Sequence, residues 1–220
     1  HEIGNPITGI ACLAQDMQID PHNIEMMQNG LKQILTQTER VSNIVGSLVN
    51  FSHSGTPLDQ AFESLNIHHS IEAAIELVSL SDAGKKLEYQ NRCDPSVMVQ
   101  GYPQKLVQVF VNLLSNAADA SSQGQSILFS TKTNGKNVLI TVRDYGQCIK
   151  EEHLSKVFEP FFTTKNVGEG TGLGLSLSYN IIQEHGGSIS VSSHYGYGCQ
   201  FEISLPIYEE EPPTGQEKSA

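Results

Sequence analysis

The chain has no tryptophan, no Cys-x-x-Cys pair and no uninterrupted apolar run of 18 residues. The missing tryptophan decides nothing. The four cysteines, Cys12, Cys93, Cys148 and Cys199, are scattered, so a zinc site is not expected. They are expected to be reduced thiols in a reducing cytosol, which points to a cytoplasmic location. Without a long apolar run there is no candidate membrane span and no membrane contact is expected from this stretch. The start, His1-Glu2, is not the basic-then-apolar stretch of a secretion signal. Opening on His1 without a Met, the chain is expected to be a piece of something longer. Basic residues are few: 13 Lys and Arg face 24 Asp and Glu, for a net charge of −11. No basic stripe exists to neutralise a phosphate backbone, so nucleic acid is not expected as a partner.

What is present reads as α+β. The 220 residues allow one medium domain with a smaller element, or two small domains. Residues 1–53 predict two helices. Ile3, Ile7, Ile10, Ala14 and Met17 recur at helical spacing, as do Ile24, Met27, Leu31, Ile34, Thr38, Val41, Val45 and Leu48. Asp20-Pro21 breaks the rhythm, so the turn falls near Gln18 to His22. An antiparallel two-helix hairpin has too little core alone. Pairing two of them into a four-helix bundle buries both seams, so a homodimer is expected.

Residues 54–62 read as a linker, and 63–207 as mixed α/β. Helices are expected over 67–83, capped by Asn66, and over 103–120 and 174–185, the last stopped by Gly186-Gly187. Strands are expected near 87–91, 97–100, 126–133, 137–143, 188–193 and 199–205, with Asn134-Gly135 as a hairpin turn. The Gly-rich stretch 145–174 has no period, and a loop of that length marks a lid or binding loop. The acidic tail, 208–220, is expected to be disordered.

Five constellations carry chemistry. In His1-Glu2-Ile3-Gly4-Asn5-Pro6, His1 and Asn5 lie one turn apart, and Glu2 could accept the imidazole proton of a nucleophilic His1. Asn112 and Asn116 place two amides on one helix face, suited to Mg²⁺ and phosphates. Asp144, ahead of Gly146 and Cys148, is a carboxylate at a strand end that could accept from an adenine amine. Gly168 to Leu175, with Gly170, Thr171, Gly172, Leu173 and Gly174, runs into a helix and forms an anion nest for a polyphosphate. It is not a Walker A loop, because no Gly-Lys-Ser/Thr follows. Phe158 to Lys165 offers three aromatics to anchor a lid, and Lys165 to reach a phosphate.

Together, in this order and spacing, these residues resemble the GHKL ATPases and, within them, the sensor histidine kinases. His1 to Ile7 looks like the H-box, Asn112 to Asn116 the N-box and Asp144 to Ile149 the G1 box. Phe158 to Lys165 looks like the F-box and Gly170 to Leu175 the G2 box, with a last glycine motif at Gly196-Tyr197-Gly198. The resemblance covers about residues 1–207 and implies an α/β sandwich with a mixed sheet on three helices. It implies ATP and Mg²⁺ as cofactors, with Asn116 on the metal and Asp144 on the adenine amine. It implies closure of 145–174 over ATP and transfer from phospho-His1 to an Asp of a response regulator. Glu2 would be the base, and Asn5 would position water for phosphatase activity on that partner. Two departures stand out: Cys148 replaces the second glycine of the G1 pattern, and Cys199 replaces the Thr after Gly198. They keep open a degenerate, non-catalytic dimeric scaffold. An ATP-hydrolysing GHKL protein is disfavoured, because Asn112 stands where those carry a Glu, and an amide is no general base.

Overall fold

A computed structural model describes residues 4–52, 62–165, 170–194 and 196–208. Two compact units emerge: His1–Leu58 with Glu159–Gly174, and Asp59–Phe158 with Leu175–Ala220. The linker expected at 54–62 lies, except for Phe62, outside the described residues, as does the tail from Glu209.

In the first unit, α1 (Gly4–Ile19) and α2 (Ile24–Ser52) form the hairpin. Asn23 ends the turn: its Oδ1 accepts from the Met26 amide at 3.0 Å, as an N-cap does. Pro6 is buried on α1. The seam differs from the expected one. Ile10, Leu13 and Met17 are half-buried on α1, whereas Ile7 and Ala14 are exposed. Buried Gly30 lets the helices close up, since a Cβ there would meet the Met17 Sδ at 2.8 Å. Ile24, Leu31, Leu35 and Val45 remain exposed on α2, and so does Thr38. Ile3 lies outside the described residues.

In the second unit a five-stranded mixed sheet has the order β2-β4-β5-β7-β6. Its strands are β2 (Glu88–Arg92), β4 (Ser126–Asn134), β5 (Asn137–Arg143), β6 (Ser188–His194) and β7 (Gly198–Pro206). β2 and β4 are parallel, and the other pairs are antiparallel. Alternate residues Ile127 and Phe129, then Val138, Ile140 and Val142, then Phe201, Ile203 and Leu205 are buried, so one face of the sheet is the core face. α3 (Ile67–Ser79), α4 (Pro103–Ala120) and α6 (Gly174–Glu184) supply the rest of the core through Ile71, Leu106, Phe110, Leu113 and Ile182. A short antiparallel pair, β1 (Glu63–Asn66) with β3 (Met98–Gly101), lies outside the main sheet.

Most expected elements stand within a residue or two. β1 is an addition: four residues with no clean alternation leave no periodic signal. Asn66 caps α3 by accepting from the His69 amide at 3.2 Å. α3 ends at Ser79 rather than 83 because the Ser81 amide and hydroxyl both turn back to the Val78 carbonyl. A 3-10 turn at Gly84–Lys86 follows. The loop expected across 145–174 holds a four-residue helix, α5 (Glu151–Leu154).

Candidate functional site

Asp144 follows β5 and is one of few buried carboxylates, 4% exposed. Its Oδ1 accepts from the Gly146 amide at 2.9 Å and from the Cys199 amide at 3.4 Å. Oδ2 is thereby left to take a donor from outside. Burial pushes the carboxyl above its usual range, against the pull of the Gly146 and Cys199 amides. Two glycines make the close packing possible. A Cβ on Gly146 would strike the Ala120 carbonyl, and one on Gly198, at φ +79°, would strike the Asp144 carbonyl. Both are positions where only hydrogen fits.

Cys148 and Cys199 lie on this same framework. Ser193 is their junction: its hydroxyl accepts from the Ile149 amide at 2.9 Å and donates to the Gly198 carbonyl at 3.1 Å. The Cys199 sulfur is 3.3 Å from that hydroxyl and 3.7 Å from the Gln147 carbonyl. The Cys148 thiol donates to the His194 carbonyl at 2.9 Å. All four cysteines are free thiols. The role of Ser193 was not visible in the sequence, since a serine in a strand carries no signal of its own.

On α4, Asn112 and Asn116 share a face, and both are half-buried. The Asn112 amide donates to the Ser178 hydroxyl at 3.2 Å, tying α4 to α6. Asn116, one turn on, has no side-chain bond among the described residues, and its oxygen is a hard donor suited to Mg²⁺. A buried carboxylate, an amide oxygen and glycine-lined backbone form a donor set that fits a metal-bound nucleotide.

In the other unit, residues 159–165 and 170–174 lie against each other. The Phe161 amide donates to the Gly172 carbonyl at 2.9 Å, and both residues take positive φ, 68° and 65°. A Cβ on Gly172 would strike the Phe161 backbone, and one on Gly170 would lie 2.9 Å from the Thr163 hydroxyl and 3.1 Å from Lys165 Cδ. Leu173 is buried, with its amide 3.4 Å from the Thr171 hydroxyl. Gly174 opens α6. Asn5 is exposed on α1. His1, Glu2, Gly168 and Glu169 lie outside the described residues.

A buried strand-end carboxylate beside glycine turns, three helices on one face of a mixed sheet and a glycine run opening a helix define a nucleotide-binding ATPase domain. Residues 101–209 match the family described as histidine kinase-, DNA gyrase B-, and HSP90-like ATPase. Residues 101–209 thus form a domain of this family, and the curated relatives that the chain resembles are sensor histidine kinases. It is 32% identical over 210 residues to the sensor histidine kinase ZraS of Escherichia coli (strain K12), covering 94% of this chain and 44% of that one. It is 31% identical over 231 residues to the sensory histidine kinase/phosphatase NtrB of Azospirillum brasilense, covering 98% of this chain and 56% of that one. Among solved structures, histidine kinase ThkA in complex with response regulator protein TrrA matches with a TM-score of 0.74 and 27% identity. That match covers 94% of this chain and 59% of that one. The chain thus spans about half the length of the curated relatives it matches. No helix among the described residues is long and apolar enough to cross a membrane.

Proposed function

We propose that this chain is the phosphoacceptor and ATP-binding core of a cytoplasmic sensor histidine kinase, working as a homodimer on a response regulator. The observation that carries the reading is Asp144, a buried carboxylate with one oxygen held by two amides and the other left for an adenine amine. Burying a carboxylate has a folding cost, and such groups concentrate where a ligand uses them.

Asn116 would hold Mg²⁺ with its amide oxygen, and the metal supplies charge neutralisation for the phosphates. Asn112 positions Asn116 through the tie to Ser178. Gly170, Thr171, Gly172, Leu173 and Gly174 would cradle phosphates with main-chain amides, and Lys165 would add a cation. An imidazole nitrogen of His1 attacks the γ-phosphorus: the P–N bond forms as the bond to the β,γ-bridging oxygen breaks. Glu2 takes the other imidazole proton. The phosphoryl group then passes to an Asp carboxylate of the partner, and Asn5 orients water when that product is hydrolysed. The exposed apolar residues of the hairpin, Ile7, Ile24, Leu31, Leu35 and Val45, support pairing with a second copy.

Incubation with γ-labelled ATP tests the reading. Acid-labile, alkali-stable label should enter the chain and be absent from His1→Ala. Label that survives His1→Ala sinks the phosphoacceptor assignment.

A further inference from the structure

Two thiols flank the carboxylate that anchors the proposed nucleotide site, and they are unlike each other. Cys148 is half-buried at the mouth of the turn following β6. Slight burial raises its thiol, but the amides of Gly198, Gly196 and Tyr197 and the Ser193 hydroxyl outweigh that and hold it below the usual range. These amides converge because Gly196 and Gly198 both take positive φ, 80° and 79°, which turns successive N–H groups to one side. A thiol so placed carries more thiolate at neutral pH, and thiolate is the form that oxidants attack. Cys199 is buried, and burial raises its thiol with Asp144 adding to the rise. The remaining cysteines lack such a setting: Cys12 is exposed on α1, and burial pushes the Cys93 thiol up to about 12.

The two sulfurs also share neighbours. The Cys199 sulfur sits 3.7 Å from the Gln147 carbonyl, the peptide unit that leads directly into Cys148. The Ser193 hydroxyl is 3.3 Å from the Cys199 sulfur, and the carbonyl of the next residue, His194, accepts from the Cys148 thiol at 2.9 Å. Both sulfurs thus border the same end of β6, at Ser193 and His194.

We infer that Cys148 is a hydroperoxide-sensitive modification site, that Cys199 is its resolving thiol, and that the bridge they form deforms the cradle of Asp144. In the first step the Cys148 sulfur gains an S–O bond as the peroxide O–O bond breaks. Sulfur is oxidised by two electrons, the peroxide is reduced, and hydroxide or alkoxide leaves. In the second step the Cys199 sulfur attacks the sulfenic sulfur. An S–S bond forms, the S–O bond breaks, and the Cys199 proton leaves with the hydroxyl as water. Ser193 turns aside to let the sulfurs meet at about 2.05 Å. The bridge then spans the two segments whose amides hold Asp144 Oδ1, that of Gly146, two residues before Cys148, and that of Cys199 itself. Disulfides in reducing compartments are mostly transient and regulatory, which matches a half-buried attacking thiol with a buried resolving one. The effect on nucleotide rests on the reading of Asp144 as the adenine anchor; the thiol chemistry does not.

The whole chain, treated with hydrogen peroxide or left reduced, is mapped by non-reducing peptide mass spectrometry and titrated with a fluorescent ATP analogue. A Cys148–Cys199 linked peptide is expected before Cys12 is oxidised. The dissociation constant is expected to rise at least tenfold and to return on reduction with dithiothreitol. In Cys148→Ser, treated and reduced protein should give one and the same affinity, whatever its value. Oxidation of Cys12 without the linked peptide overturns the proposal, and so does a linked peptide with unchanged affinity. If the reduced protein binds no analogue, the nucleotide reading fails by itself, and the peptide map still decides whether the bridge forms.

Discussion

The hairpin helices leave Ile24 71% exposed and Leu35 65% exposed, while the α/β unit holds Ile67, Ile71, Phe110, Phe129 and Ile140 at 0%. One sequence thus contains a region whose apolar surface is satisfied within the chain and one whose apolar surface is not. The difference follows from geometry. Two helices can shield only the line along which they touch, whereas a sheet covered by three helices encloses a volume. The α/β unit is therefore expected to be a stable monomeric body, and the hairpin to gain its stability from a second copy.

The sharpest way to break this comparison is to charge the exposed seam. Leu31→Lys with Leu35→Lys removes two side chains per protomer, four per dimer. Each of these exposed leucines contributes about 1 kcal/mol when covered, so the dissociation constant should rise roughly a thousandfold. Light scattering should report monomers, and nucleotide binding by the α/β unit should persist. Loss of both together would show that the two regions are not independent.

Asp144→Asn probes the second region by separating its stability from its function. A lost charged hydrogen bond of about 1.5–3 kcal/mol should weaken nucleotide binding roughly 10- to 100-fold. Stability should move the other way. Burial raises the Asp144 pKa above 3.8. Its folding contribution is full below that unfolded value and is lost as pH rises through the folded one. At neutral pH the ionised carboxylate therefore destabilises the empty protein, and the neutral amide does not. Calorimetry should find Asp144→Asn melting at a higher temperature. A lower melting temperature would mean that its two amide bonds outweigh the cost of burial.

Gly198→Ala should be felt in both functions of that body. A left-handed φ of +79° and a Cβ against the Asp144 carbonyl leave alanine nowhere to go. A loss of about 2–3 kcal/mol in denaturant unfolding is expected, together with weaker nucleotide binding. Gly135→Ala, at φ +60° but in open space, should lose about 1 kcal/mol and leave binding intact.

Legibility in the sequence followed the length and regularity of each signal. α4 reads directly, because Leu106, Val109, Phe110, Leu113, Leu114 and Ala117 repeat over about three turns and all are buried. Asn134-Gly135 marks the β4–β5 turn because a left-handed residue was required there. The hairpin seam was less legible. Many of its apolar positions can face either the partner helix or a second copy, and spacing alone does not sort them; Ile7 and Leu13 were interchanged in this way. In the site, Asp144 and Gly146 stood out by type and by their place after a strand, and Gly198 only through the resemblance. Ser193 and Ser178 were not, because what they do depends on long-range pairs, Ser193 with Ile149 and Ser178 with Asn112.

The smallest expected effect is a slope. His185 is buried at the end of α6, where its Nε2 accepts from the Tyr102 amide at 3.0 Å and its Nδ1 pairs with the Ile181 carbonyl at 2.7 Å. Nε2 can accept only if the proton is on Nδ1, so the bonds select one neutral tautomer. Protonation would set an N–H against the Tyr102 N–H. Burial lowers the His185 pKa below 6.5, with the Ile181 carbonyl and Glu184 opposing the shift. The sign follows: the contribution is full above 6.5, declines as the unfolded chain takes up the proton, and is lost as pH falls through the folded value. Urea unfolding of the chain between pH 7.5 and 5 should show stability falling with acid over that window. His185→Gln cannot titrate, and its amide can still accept from Tyr102, so its curve should be flatter over the same window and cross that of the parent at low pH. Parallel curves for the two proteins would assign the slope to other groups and leave His185 as a packing residue between Tyr102 and Phe62.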